Sequence, residues 1–204
     1  MENFFTLRAE KQNHIIDAAL TAFARNGYKK TSISDIAERA GIAKGMVNYY
    51  FGSKKNLYLH LAELCFGILN KTMEENYDAS VTEYFDRLKM MADIKIAAMK
   101  EHPAIYPFIA SIYHETDEEV RNELNHYFSE GYKTRESLIT RDVDVSRFKA
   151  DIDPKMLDRL FAWAAEGYAA GSAKDQSLAH EQSFVNDIYT CMGWMKKYFY
   201  VEDS

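Results

Sequence analysis

The chain has 204 residues, 47% apolar and 27% charged, which suits one compact unit or a small module fused to a larger one and excludes a disordered chain. Two cysteines, Cys65 and Cys191, are too few and too far apart for a disulfide scaffold or a zinc site, and read as small helical hydrophobes. The net charge of −6 argues against nucleic acid only until it is divided: residues 1–55 carry nine Lys/Arg against five Asp/Glu, and residues 56–204 carry 16 against 26, so a basic head precedes an acidic body.

Strand-type alternation is scarce and helix-period stripes are frequent, so the chain reads as all-α, with about nine helices. The first runs from about Leu7 to Asn26, buries Ile16, Ala19, Leu20 and Phe23, and is ended by Gly27. The second opens at Ser32, whose hydroxyl and Asp35 three residues on form a capping box; Ile36, Ala37 and Ala40 make its apolar face. Gly41 supplies the positive φ that lets the chain leave sharply, and a third helix covers about Ala43 to Tyr50. A fourth starts at Ser53, with Leu57, Leu61, Leu64 and Ile68 on one face, and extends to about Tyr77. The next spans Ser80 to near His102, stopping before Pro103, with Val81, Phe85, Leu88 and Ala92 on one face. A short helix from Ala104 to Tyr113 follows, then another from Asp117 to about Thr140 with Val120, Leu124, Tyr127 and Phe128 inward. Residues 141–153 are polar and unperiodic and read as a loop. Pro154 suits the first turn of a helix reaching about Ala173, striped by Leu157, Leu160, Phe161, Ala164 and Tyr168 and dense in small residues. The last helix covers about Leu178 to Tyr200, with Phe184, Ile188, Met192, Met195 and Phe199 on one stripe. No apolar run is long enough to span a bilayer, and the first residues lack the apolar core and cleavage site of a signal peptide, so a cytoplasmic protein is expected.

Two short helices around a glycine turn form a helix-turn-helix, in which the second helix lies in the major groove of double-stranded DNA. The stretch is similar to the TetR-type (TetR/AcrR-like) transcriptional regulators. The resemblance rests on Phe23 with Gly27-Tyr28, on Thr31-Ser32 with Asp35-Ile36-Ala37, on Ala40-Gly41-Ile42 with Lys44-Gly45, and on Tyr49-Tyr50-Phe51 with Ser53-Lys54 and Leu57. It covers roughly residues 10–60, and beyond them extends only to length, helical content and the position of the final helices. It implies a helix-turn-helix DNA-binding domain over 1–52 and a larger helical ligand-binding and dimerisation domain over 53–204.

On that resemblance, residues 43–49 face base edges. Lys44 reaches a phosphate or a guanine edge, Gly45 lets the backbone come close, and Met46 touches a thymine methyl. Asn48 departs from the family, which usually carries an aromatic residue here, and its amide can bond adenine bidentately. Thr31 and Ser32 hold phosphate at the start of their helix, and Lys54 does so beside the N-terminal amides of its own. Tyr49 and Tyr50 contact phosphate or pack; Val47 and Phe51 face the core.

The body is rich in rings and thioethers. In the resembled family this region encloses a small-molecule site, and Phe66, Tyr84, Met91, Tyr106, Tyr113, Tyr127, Phe161, Trp163 and the polar Glu166 are the candidates for lining it. As a group they favour an apolar or aromatic effector that releases DNA by favouring one of two conformations. Leu160, Ala164, Tyr168, Phe184, Ile188, Met192 and Met195 are the candidate homodimer surface, which would pair two heads on a palindromic operator. No catalytic residue, metal site or cofactor is expected: the chain has no nucleophile elbow or phosphate-cradling glycine loop, and His102 and His114 stand at no metal-binding spacing. The rival readings are a non-sensing DNA-binding or protein-interaction module and, more remotely, a small-molecule enzyme.

Overall fold

A computed structural model describes residues 2–172 and 178–201; the side chains of Glu2, Met99, Ala165, Glu166, 168–172, 178–182 and Phe184 fall outside the description. Among the described residues there are ten α-helices and no strand: α1 (Glu2–Phe5), α2 (Ala9–Lys30), α3 (Ile33–Arg39), α4 (Lys44–Phe51), α5 (Lys54–Asn76), α6 (Tyr84–Glu101), α7 (Ile105–Tyr113), α8 (Glu118–Thr140), α9 (Pro154–Ser172) and α10 (Leu178–Phe199). The all-α reading holds, with α1 added. Four residues are too few to display a period; α1 forms because Phe4 finds the rings of Tyr50 and Phe51, at centroid distances of 5.9 and 4.8 Å. Gly27 leaves the helical conformation as expected (φ 69°, ψ 177°), but a further turn continues to Lys30, so α2 is kinked there rather than ended.

Contacts divide the chain into two compact units, residues 1–69 with 99–129, and residues 70–98 with 130–204. The division falls within α5, α6 and α8. In the first unit α2 packs against α3 and α7, α3 against α4, and α1 against α4. Its core gathers Ile15, Ala19 and Phe23 of α2, Ile36 of α3, Val47 and Phe51 of α4, Leu57 and Leu61 of α5, Phe108 and Ile112 of α7, and Leu124 of α8. The residues that shape the helix-turn-helix thus share one interior with α7 and the first half of α8. Cys65 is buried in the same core, and burial pushes its thiol up to about 12.

The second unit has its own core, from Tyr84, Leu88 and Met91 of α6, Ile139 of α8, Leu157 and Phe161 of α9, and Met192 of α10. The segment 141–153 forms no helix, yet it is not wholly solvated. Phe148 is buried, edge-on to Tyr84 at 5.3 Å and to Tyr200 at 4.8 Å. Arg87 is also buried: its guanidinium donates to the carbonyls of Val81 (2.7 Å) and Arg141, and so ties this segment to α6. Among the described residues no helix is long and apolar enough to cross a membrane.

Candidate nucleic-acid interface

The reading head is built from its caps outward. The Ser32 hydroxyl accepts from the Asp35 N–H at 3.1 Å, and the Asp35 carboxylate accepts from the Ser32 N–H at 3.4 Å, so the capping box at the start of α3 is present. At the other end the Gly41 N–H donates to Glu38 and the Ile42 N–H to Ala37, the paired bonds of a Schellman turn, with Gly41 at φ 61°. That turn aims α4. Val47, Tyr50 and Phe51 bury one side of it, while Lys44, Gly45, Asn48 and Tyr49 share the other side and are exposed. Met46 is half-buried and packs against the first core.

Gly45 needs no special backbone conformation, since the positive-φ glycines are Gly27, Gly41 and Gly52. A Cβ built on Gly45 would meet nothing within 4 Å. The fold therefore does not require glycine there, and its smallness matters to whatever approaches from outside. Tyr49 is 59% exposed, with its ring 5.7 Å from that of Tyr50.

Three of the expected DNA-contacting side chains are turned inward. Thr31 is buried, and its hydroxyl donates to the Gly27 carbonyl at 2.7 Å and reaches that of Ala22 at 3.1 Å. Tyr50 is buried against Phe4. Lys54 is half-buried: its ammonium donates to the carbonyls of Tyr28 (3.0 Å), Thr31 (3.3 Å) and Lys29 (3.4 Å) and lies 4.4 Å from the centroid of the Tyr28 ring. One α5 amide is also taken, because the Ser53 hydroxyl accepts from the Asn56 N–H at 3.0 Å. Lys54 thus serves the carbonyl end of α2. Of the remaining cations, Lys29 and Lys30 are exposed, and Lys55 pairs with Glu123 at 2.7 Å.

Sequence reasoning missed Glu115. Its carboxylate accepts from the Tyr28 N–H at 2.8 Å, just past the Gly27 kink, and Arg121 donates to its backbone carbonyl at 2.9 Å. The partners Tyr28 and Glu115 are far apart in sequence, and no local pattern marks them.

The candidate effector-lining residues separate into two groups. Tyr106 is half-buried in the first unit, where Phe66 stacks on Tyr127 at 5.8 Å and Tyr113 stacks on Phe128 at 4.7 Å. Tyr84, Met91 and Phe161 belong to the second core. Trp163 corrects the expectation of enclosure: it is 55% exposed and shares an outward stripe of α9 with Met156 and Leu160. The dimer candidates are likewise divided. Leu160 and Ala164 face outward, but Met192 is buried, and Ile188 and Met195 pack against the core of their own unit. Among the described residues, the exposed large apolar side chains of α10 are instead Trp194 and Tyr198, with Val201 just beyond it. The side chains of Glu166, Tyr168 and Phe184 lie outside the described residues.

The family described as bacterial regulatory proteins, tetR family, matches residues 15–61, from the middle of α2 into α5. In its head the chain is similar to TetR-type regulators. It is 38% identical over 69 residues to IcaR of Staphylococcus aureus (strain Newman), a negative transcriptional regulator of the icaADBC biofilm operon; the match covers 34% of this chain and 37% of that protein. The chain thus spans little more than a third of the length of that relative. It is 23% identical over 150 residues to the fatty acid metabolism regulator protein of Bacillus subtilis (strain 168), covering 74% of this chain and 77% of the relative. Its fold also matches the crystal structure of a TetR family transcriptional regulator from Chloroflexus aurantiacus J-10-FL, with a TM-score of 0.75, 21% identity and 99% of both chains covered.

Proposed function

We propose that the chain is a sequence-specific DNA-binding transcriptional regulator, a repressor released by a small apolar ligand, and not an enzyme. The observation that carries this reading is the division of α4. Its buried side fixes the helix, and its open side presents Lys44, Gly45, Asn48 and Tyr49, a cation, a gap, an amide and a phenol suited to phosphates and base edges. Residues 1–52 form the DNA-binding domain, and residues 53–204 the effector-binding and dimerisation domain. The basic excess of the head draws phosphate while the acidic body is repelled by it.

One head offers few base contacts, so the regulator works as a homodimer on a palindromic operator in the cytoplasm. The outward apolar residues of α9 and α10, from Leu160 and Trp163 to Trp194 and Tyr198, are the surface for that pairing. The effector is an apolar chain of the acyl type. Both the thioether-rich second core and the relative named for fatty acid metabolism support that class.

Selection of duplexes from a random pool, followed by titration over a range of salt, tests the DNA reading. A palindromic site should emerge, bound with a steep salt slope and at least about a thousandfold over random duplex. Equal affinity for every duplex would overturn the reading.

A further inference from the structure

We propose that Lys95 forms an anion-binding site inside the second unit, and that the effector carries a carboxylate or phosphate at one end of its apolar chain. This rests on the ligand-release reading above and adds the chemistry of the ligand's head. The buried stripe of α6 includes Tyr84, Leu88, Met91 and Ala98. Lys95 falls four residues after Met91 and three before Ala98, so it stands on that stripe rather than on the solvent side. It is half-buried, and among the described residues its ammonium has no hydrogen-bond or ion-pair partner.

Among the described residues, the surroundings hold one cation too many. Arg135 of α8 and Asp158 of α9 both act on Lys95, the first repelling its charge and the second attracting it. Asp158 is already committed: it is buried and accepts from the Arg135 guanidinium at 2.8 Å. Other carboxylates of the unit are engaged too. Asp93 accepts from Lys89 at 2.6 Å and from Tyr189, and Glu136 pairs with Lys155 at 3.6 Å. Asp153 is exposed and caps the start of α9. The Tyr84 hydroxyl donates to the Pro154 carbonyl at 3.1 Å. Desolvation and then Arg135 pull the Lys95 ammonium down to about 8, so it is still mostly protonated at neutral pH.

A desolvated cation is expensive unless an anion faces it. A ligand's acidic group supplies that anion. The tail finds thioethers nearby, since Met73, Met91 and Met192 are in this core and Met90 and Met195 pack against it. Such side chains rearrange readily around an apolar guest.

Calorimetry on the full chain with decanoate, 1-decanol and decanoyl-CoA tests the site, using the wild type, Lys95→Met and Lys95→Arg. The wild type should prefer a charged ligand over 1-decanol by about tenfold or more, the methionine variant should lose that preference, and the arginine variant should keep it. A preference for decanoate places a carboxylate at Lys95; a preference for decanoyl-CoA alone places a phosphate there. Near pH 8, charged-ligand binding should also take up part of a proton, read from the heats in buffers of different ionisation enthalpy, and Lys95→Met should abolish the uptake. Binding of none of the three, or a preference for the anion that survives Lys95→Met, overturns the proposal. Operator binding by the same samples separates the two readings. Selective DNA binding without anion preference removes only the Lys95 site, whereas loss of selective DNA binding removes the regulator reading.

Discussion

Lys54 and Asn48 lie six residues apart on the reading head and do different work. The Lys54 ammonium meets three carbonyls at the end of α2, where unpaired acceptors and the helix dipole both favour a cation. Lys54→Met should therefore cost about 1.5–3 kcal/mol of stability in urea denaturation, the range for hydrogen bonds to a charged group. The salt slope of DNA binding should stay unchanged. An unaltered urea midpoint with a shallower salt slope would instead return Lys54 to the phosphate backbone. Asn48 is exposed on the open side of α4 and supports nothing inside. Asn48→Ala should leave stability unchanged and remove about 1–3 kcal/mol of discrimination at one base position per half-site, measured on single-base operator variants. Equal weakening on all duplexes would contradict an adenine contact. The resemblance gave the outward place of Asn48, and residue types and spacing made the capping box and the glycine turn legible in advance. The direction of Lys54 was not, because the carbonyls that hold it come from α2 and only the folded unit brings them near.

At the scale of the elements, the kink in α2 depends on one backbone conformation and one distant acid. Gly27 sits at φ 69° and ψ 177°, a region essentially closed to side-chain-bearing residues, and this frees the Tyr28 N–H to donate to Glu115. Gly27→Ala should cost about 1–3 kcal/mol in urea denaturation; an equally stable variant would mean that the kink relaxes without penalty. The start of α6 is held by Glu83, which accepts from the Phe85 and Asp86 N–H groups, from Lys196 at 2.9 Å and from the Tyr200 hydroxyl. Burial alone would raise its carboxyl, but these donors outweigh it and hold the carboxyl at about 2. A carboxyl lower in the folded state than in the unfolded chain stabilises above the unfolded value and loses that contribution as pH falls through the folded one. Acid should therefore strip stability from the wild type between about pH 5 and pH 2 more steeply than from Glu83→Gln. Parallel acid titrations with matching slopes would count against the network. Long helices such as α5 and α9 announced themselves by period, whereas α1 is too short to have one. Period also leaves the cover of a face open: Ile188, Met192 and Met195 were legible as one stripe, but a stripe reads alike whether its own core or another chain lies against it.

For the molecule as a whole, the apolar surface of α9 and α10 is the feature that asks for company. Trp163 and Trp194 are 55% and 62% exposed, and Leu160 and Tyr198 are exposed on the same two helices, more large apolar surface than a monomer in water usually leaves open. Trp194→Asp should shift the protein to monomer in sedimentation velocity and weaken operator binding at least about a hundredfold through lost two-headed engagement. A variant that stays dimeric would move the interface elsewhere. The division of α4 also bears on how such a protein changes over generations. The residues that keep the helix in place are shut inside, and those that meet the outside have open space around them, down to the bare backbone of Gly45. A duplicated gene can therefore wander through substitutions at 44, 45, 48 and 49 with little penalty in folding. New binding preferences become reachable by neutral drift, one surface residue at a time, without a rescuing change in the interior.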